Sequence, residues 1–197
     1  MANRLRRKWQ GYGGRHAVMA EHSFYEVFEQ LFQDTELEII PQPRKFEKLY
    51  VDVNLEDEEL AQIYVPDVKI SRHGIRPDCL IRNKETGKEI YVEIKRQDGW
   101  VEGKTRHAGR GNAHERLCKY FTPGLLETLR RESGISAPEY PFWIVFEGDI
   151  TRDICRVREI RFWFAGNDRN VSFWRDTTDA TPIINHFFDK ILPLLES

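Results

Sequence analysis

The chain has 197 residues, and its hydrophobic content of 40% is enough for one compact domain with a real core. Its 30 basic and 32 acidic residues nearly cancel to a net charge of −2, which excludes a uniformly basic nucleic-acid binder. No apolar run approaches the ~18 to 20 residues of a membrane span, and the first residues lack a secretory signal, so we expect a cytoplasmic protein with no membrane partner.

Charge is unevenly distributed along this chain. Residues 1–15 hold five basic residues and no acid, which predicts a basic and flexible N-terminal arm on a single domain spanning residues 1–197. Residues 94–119 hold seven basic and three acidic residues, with four glycines among them. Because glycine lets the backbone approach a ligand closely, this basic segment is suited to a polyanion.

In chain order, apolar residues first recur at helical spacing between Phe24 and Phe32, which predicts a helix over residues 16–33. Strands are predicted around 37–40 and 49–53, followed by an acidic surface helix over 56–64. Residues 77–95 predict a β-hairpin in which PDCLIRN and EIYVEIK are the strands and Gly87 supplies the flexible turn position.

The second half continues the alternation of helices and strands. AHERLCKYF predicts a helix capped by Asn112 and interrupted at Pro123, before a second helix at LLETLRR. PFWIVFEG (141–148) predicts a central strand buried on both faces, IRFWFA and VSFWR predict later strands, and a closing helix is expected near 181–195. The pattern therefore predicts an α/β domain.

The chemistry-bearing residues concentrate on the hairpin. In simple antiparallel register the start of its first strand lies beside the end of its second, so Asp78 is expected next to Glu93. Glu93 and Lys95 share one strand face, whereas Ile94 points to the other. Two adjacent carboxylates repel each other unless a cation lies between them, and hard oxygen ligands suit Mg²⁺.

This short pattern is weakly specific. Surface carboxylates and an exposed cross-strand Glu and Lys would match it equally well. Pro66-Asp67 repeats the dipeptide, but it closes a helix-like segment and does not open a strand, so we rank it lower.

A longer resemblance adds to the short pattern. PD-x14-EIK together with GRGNAHER resembles the PD-(D/E)XK type II restriction endonucleases of the EcoRI branch. EIKRQDGWVEGK, AGRGNAHER, FTPGLL, PFWIVFEGDITRD and RVREI are similar to the MunI-type enzymes of that branch, which read CAATTG. The resemblance implies a PD-(D/E)XK fold with a central mixed β-sheet flanked by helices. It also implies a bacterial homodimer that cleaves double-stranded DNA at a palindrome, accompanied by a cognate DNA methyltransferase.

Carried over by position, the resemblance assigns catalysis to Asp78, Glu93 and Lys95, with Mg²⁺ held by Asp78 and Glu93. It also implies a DNA-binding set, with Arg110 reading the outer C·G pair: Lys104, Arg110, Gly111, Asn112, Ala113 and Arg116. Asn and Arg pair bidentately with adenine and guanine in the major groove, which fits these roles. Asn112 as a plain helix cap and Arg116 as a surface arginine are the alternatives.

Two other functions remain open at this stage. One is a PD-(D/E)XK nuclease of DNA repair or recombination that has no strict recognition site. The other is a sequence-specific DNA-binding protein without catalysis, against which the intact Asp78, Glu93 and Lys95 argue.

Overall fold

A computed structural model describes residues 23–49, 56–60, 62, 74–96 and 113–197 of the chain. The described strands form one five-stranded sheet in the order β1-β2-β3-β4-β5. They are β1 Leu37–Pro41, β2 Cys79–Asn83, β3 Glu89–Arg96, β4 Phe142–Glu147 and β5 Val171–Trp174. The pairs β1/β2 and β2/β3 are antiparallel, whereas β3/β4 and β4/β5 are parallel, so the predicted mixed sheet is confirmed.

Helices surround this sheet. The α-helices are α1 Phe24–Leu31, α2 Asp57–Leu60, α3 Ala113–Arg116, α4 Pro123–Ser133, α5 Ile154–Trp163, α6 Thr181–His186 and α7 Leu192–Glu196. A 3₁₀ segment, Leu117–Phe121, continues α3, another spans Asp149–Arg152, and a π-helical turn, Phe187–Ile191, joins α6 to α7. No helix in the described ranges has the length and apolar character needed to cross a bilayer.

The core has two layers because alternate side chains of the sheet point to opposite faces. Trp143 and Val145 of β4 belong to a cluster with α1 and the closing helices. Phe142 and Phe146 of the same strand belong to a second cluster with α4 and the 3₁₀ segment after α3. All four side chains are fully buried, which confirms the prediction of a central strand buried on both faces.

Two sequence predictions were wrong in their detail. Of the helix predicted over 16–33, the structure describes Phe24–Leu31, which begins where Ser23 and Glu26 form a reciprocal capping box and ends two residues early; residues 16–22 lie outside the described residues. IRFWFA is no strand. Asp153 accepts a hydrogen bond from the backbone N–H of Arg156 and caps α5, which carries that sequence to Trp163 before a turn.

Other predicted elements are found in place. VSFWR contains β5, the closing helix spans α6 to α7, and the acidic helix is present at α2. The strand predicted over 49–53 and Pro66-Asp67 lie outside the described residues, apart from Leu49, which is not in a strand. Pro123 begins α4 instead of merely ending the preceding segment, because its fixed φ suits the first turn of a helix.

Candidate active site

The β2–β3 hairpin brings Asp78 and Glu93 together. Cys79 pairs with Val92 in the antiparallel register, which sets the preceding Asp78 opposite Glu93. The backbone N–H of Ile94 donates a 2.7 Å hydrogen bond to Oδ2 of Asp78 across the two strands. The turn that allows this register contains Gly87 in the left-handed region, at φ 74°. The predicted juxtaposition of the two carboxylates is confirmed.

Glu93 and Lys95 lie on the same face of β3, as their spacing predicts. Lys95 Nζ is 2.7 Å from Glu93 Oε1, and the Glu93 side chain is only 10% exposed against 27% for Lys95. The intervening Ile94 packs against the core on the opposite face of the sheet. The two charged groups are therefore held on a rigid central strand, with the ammonium closer to solvent than the carboxylate.

The position of Asp78 raises the pKa of its carboxyl group. The largest cause is partial burial, and the negative charge of Glu93 acts in the same direction. The Ile94 N–H and the Lys95 ammonium oppose this rise without cancelling it. A nearby positive charge favours ionised carboxylates. A cation bound between Asp78 and Glu93 would therefore reduce the electrostatic repulsion between them.

The donor set fits a hard divalent cation. Asp78 and Glu93 offer carboxylate oxygens, and an oxygen that accepts one hydrogen bond keeps a second lone pair. Partial exposure of Asp78 and Lys95 leaves room for water and phosphate ligands, which Mg²⁺ commonly retains. Asp78 and Glu93 are thus the residues that would hold the ion.

Tyr120 is a site residue that sequence reasoning missed. Its phenol donates a 3.0 Å hydrogen bond to Glu93 Oε2, and the side chain is 1% exposed. The contact spans 27 residues of sequence and depends on how the 3₁₀ segment packs on the sheet. In AHERLCKYF the tyrosine looks like any apolar core residue, so no local signal marks it.

The described members of the predicted DNA-binding set lie on the helix that precedes this tyrosine in the chain. Ala113 and Arg116 belong to α3, and Arg116 is exposed. Lys104, Arg110, Gly111 and Asn112 lie outside the described residues. Arg116 is therefore an exposed cation one helical turn before Tyr120, whose hydroxyl contacts Glu93.

His114 joins α3 to α5 and forms a second group of ionisable residues. Its ring is fully buried, with Nε2 3.3 Å from Glu159 Oε2, and burial lowers its pKa. His114, Glu115 and Glu159 place their ligand atoms within 4.8 Å of one another, the arrangement of a possible metal site. Arg156 already pairs with Glu159, so a guanidinium competes with any cation there. We therefore assign this group to helix packing.

The arrangement as a whole can bind a cation between two carboxylates and hold a lysine ammonium beside it. As an ammonium, the side chain of Lys95 can orient a water molecule and stabilise negative charge on phosphorus, and as a neutral amine it can deprotonate that water. This is the chemistry of phosphodiester hydrolysis.

The comparisons with known proteins agree with this chemistry. The family model described as type II restriction enzyme MunI matches residues 1–196. A type II restriction enzyme MunI from Mycoplasma sp is 45% identical over 194 residues, covering 97% of this chain and 96% of the relative. The solved structure of MunI restriction endonuclease in complex with cognate DNA is similar with a TM-score of 0.83 and 45% identity, covering 95% of this chain and 96% of that chain.

Proposed function

Since this chain belongs to the MunI family of type II restriction enzymes, which are site-specific deoxyribonucleases, we propose that it cleaves double-stranded DNA at CAATTG. The proposed reaction is Mg²⁺-dependent hydrolysis that leaves 5′-phosphate ends. The observation that carries the proposal is the convergence of Asp78, Glu93 and Lys95 on one hairpin. Type II restriction enzymes generally use a divalent metal ion, which supports one here. The choice of Mg²⁺ rests on the two hard carboxylate ligands.

Each residue of this trio has a distinct role in the proposed mechanism. Asp78 and Glu93 hold the ion, which when bound supplies Lewis acidity toward a phosphate oxygen. The ammonium of Lys95 lies beside Glu93 and orients the attacking water. That water forms a bond to phosphorus as the bond to the 3′-oxygen breaks, so one fragment of the cut strand keeps the 5′-phosphate and the other ends in a 3′-hydroxyl. The leaving 3′-oxygen takes up a proton as the attacking water loses one. Lys95 also stabilises the negative charge that builds up on phosphorus.

Sequence recognition is assigned to the segment that leads into α3. Asn112, Ala113 and Arg116 would read the inner AATT through adenine edges, a thymine methyl group and guanidinium contacts. Arg110 would read the outer C·G pair by donating to guanine O6 and N7. Gly111 would allow close approach of the backbone, and Lys104 would contact phosphate. The exposed position of Arg116 on α3 supports this assignment.

A palindromic target supports a homodimer, because two identical active sites related by a two-fold axis cut both strands symmetrically. We also propose that a cognate DNA methyltransferase protects the host genome as a functional partner. The MunI structure with cognate DNA supports double-stranded DNA as the substrate class for this chain.

Incubation of plasmid DNA with the pure protein and Mg²⁺ tests the proposal. Discrete fragments whose sequenced ends fall in CAATTG are the expected result. A smear would indicate a repair-type nuclease without a strict site. A gel shift without cutting would indicate a DNA-binding protein that lacks catalysis, and either result would overturn the proposal.

A further inference from the structure

Both carboxylate oxygens of Glu93 are held by protein groups. Lys95 Nζ lies 2.7 Å from Oε1, and the hydroxyl of Tyr120 donates to Oε2 at 3.0 Å. These two contacts come from different parts of the chain, because Lys95 shares β3 with Glu93 whereas Tyr120 lies beyond α3. The rotation of the carboxylate is therefore fixed from two sides.

The two contacts differ in charge. The Lys95 ammonium is positive and partly offsets the charge of Glu93, whereas the Tyr120 phenol is a neutral donor. A neutral donor orients a carboxylate and leaves its negative charge available to a metal ion. Hydrogen bonds of this kind to metal ligands commonly fix ligand orientation.

Tyr120 connects the core to α3. Its ring lies 5.3 Å from the ring of Phe142 on β4, and both side chains are buried in the same core cluster. Leu117, 1% exposed, anchors the start of the same 3₁₀ segment in that cluster. The segment directly continues α3, so Arg116 and Tyr120 are four residues apart on one continuous helical stretch. A displacement of α3 along its axis would therefore move the phenol relative to Glu93.

We propose that Tyr120 is a positioning residue that orients the Glu93 carboxylate for metal binding and links its position to the DNA-reading helix. The inference rests on the proposed function of Glu93 and of α3. DNA that fits the proposed recognition residues between 104 and 116, called here the reading segment, holds α3 in one position. The hydrogen bond from the Tyr120 hydroxyl to Glu93 is then retained. DNA that fits poorly displaces the helix and weakens that contact. Tyr120 thereby connects base recognition to assembly of the active site.

The test compares Tyr120→Phe with Tyr140→Phe in the full-length protein. Both substitutions remove only a hydroxyl from a tyrosine whose ring packs against Phe142. The Tyr140 ring also contacts Phe121 and Arg130. Measurements are single-turnover cleavage of a CAATTG duplex against Mg²⁺ concentration, calorimetric titration with Ca²⁺, and thermal unfolding without metal.

For Tyr120→Phe, the half-saturating concentrations of Mg²⁺ and of Ca²⁺ should rise about tenfold, as is usual when a hydrogen bond to a metal ligand is lost. The ratio of cleavage rates on CAATTG and GAATTC should fall, while metal-free DNA binding changes less than about twofold. Tyr140→Phe should match the wild type in all of these.

Three results would overturn the inference. Metal titrations of Tyr120→Phe that match the wild type would make the tyrosine a core residue only. A loss of cleavage that follows thermal unfolding and recovers fully at lower temperature would give it a purely structural role. Weaker metal binding with an unchanged rate ratio would refute the link to the reading helix. If the wild type cuts no CAATTG duplex, the proposed specificity fails instead, and the calcium titration still tests Tyr120.

Discussion

The carboxylate of Asp78 accepts a hydrogen bond from the backbone N–H of Ile94, so the residue before β2 is joined to the residue between Glu93 and Lys95. This bond fixes the distance between the two predicted metal ligands through the backbone of the hairpin. It also means that the carboxylate pair is assembled by strand pairing before any ligand binds.

Asp78→Asn should abolish cleavage while stabilising the metal-free protein. Burial and Glu93 raise the pKa of Asp78, so the folded state disfavours its ionised form. The resulting loss of stability develops as pH rises from the unfolded pKa of about 3.9 through the folded pKa, and it is fully present above the latter. The amide oxygen can still accept from Ile94. Urea unfolding in a chelator at pH 7 measures the gain, and a variant less stable than the wild type would contradict the prediction.

Glu93→Ala and Lys95→Ala should each abolish cleavage while leaving specific DNA binding largely intact. Both residues lie on the hairpin and not on the reading segment, so their loss removes chemistry and spares base contacts. Gel shifts with a CAATTG duplex in Ca²⁺ measure binding without cutting. Lys84→Ala is the matched control, because this lysine is exposed in the hairpin turn. Loss of specific binding in Lys95→Ala would show that the lysine holds DNA.

Arg110→Ala should relax the preference at the outermost base pair while AATT remains required. A bidentate arginine–guanine pair is worth ~1 to 3 kcal/mol of discrimination, whereas a phosphate contact weakens binding to all sequences alike. Cleavage rates on CAATTG, GAATTC and TAATTA duplexes distinguish these cases. An equal loss on all three duplexes would make Arg110 a backbone contact.

Gly74→Ala should destabilise the fold by ~1 to 3 kcal/mol, the usual cost of overpacking. A Cβ at this position would overlap the carbonyl oxygen of Phe46, whose side chain is in the core, so the backbone must move. Gly124→Ala is the control, because an added Cβ there meets nothing within 4 Å on α4. It should be neutral or stabilising by up to ~1 kcal/mol. Urea unfolding measures both, and equal stabilities would refute the predicted close approach.

His114→Gln should make the free energy of unfolding less dependent on pH below about 6.5. Burial lowers the pKa of His114, so the unfolded chain binds its proton more readily than the folded one. Stability therefore falls as pH decreases from the unfolded pKa toward the lower folded pKa, and glutamine removes that dependence. Burial also lowers the pKa of His186. The part of the pH dependence of stability that comes from His186 should therefore remain in the variant. Parallel slopes for variant and wild type would show that His114 is protonated equally in both states.

The hairpin and its carboxylate pair could be predicted from the amino-acid sequence alone. Alternation in PDCLIRN and EIYVEIK, with Gly87 between them, fixes a register that sets Asp78 opposite Glu93. These are local interactions over fewer than 20 residues, so periodicity and turn chemistry suffice to predict them. The buried strand at Phe142–Glu147 was equally clear, because continuous apolar sequence has few alternatives in a domain of this size.

The contacts between distant segments depend on tertiary packing and could not be predicted in this way. IRFWFA has the composition of a strand, yet the cap at Asp153 places it on a helix whose Phe162 and Trp163 stay exposed. Tyr120 reaches Glu93 only because the segment after α3 packs on the sheet beside β4, and no spacing in the sequence records that packing. Local periodicity predicts which side of a strand or helix a side chain lies on. The residue that it contacts on that side depends on how the helices pack against the sheet.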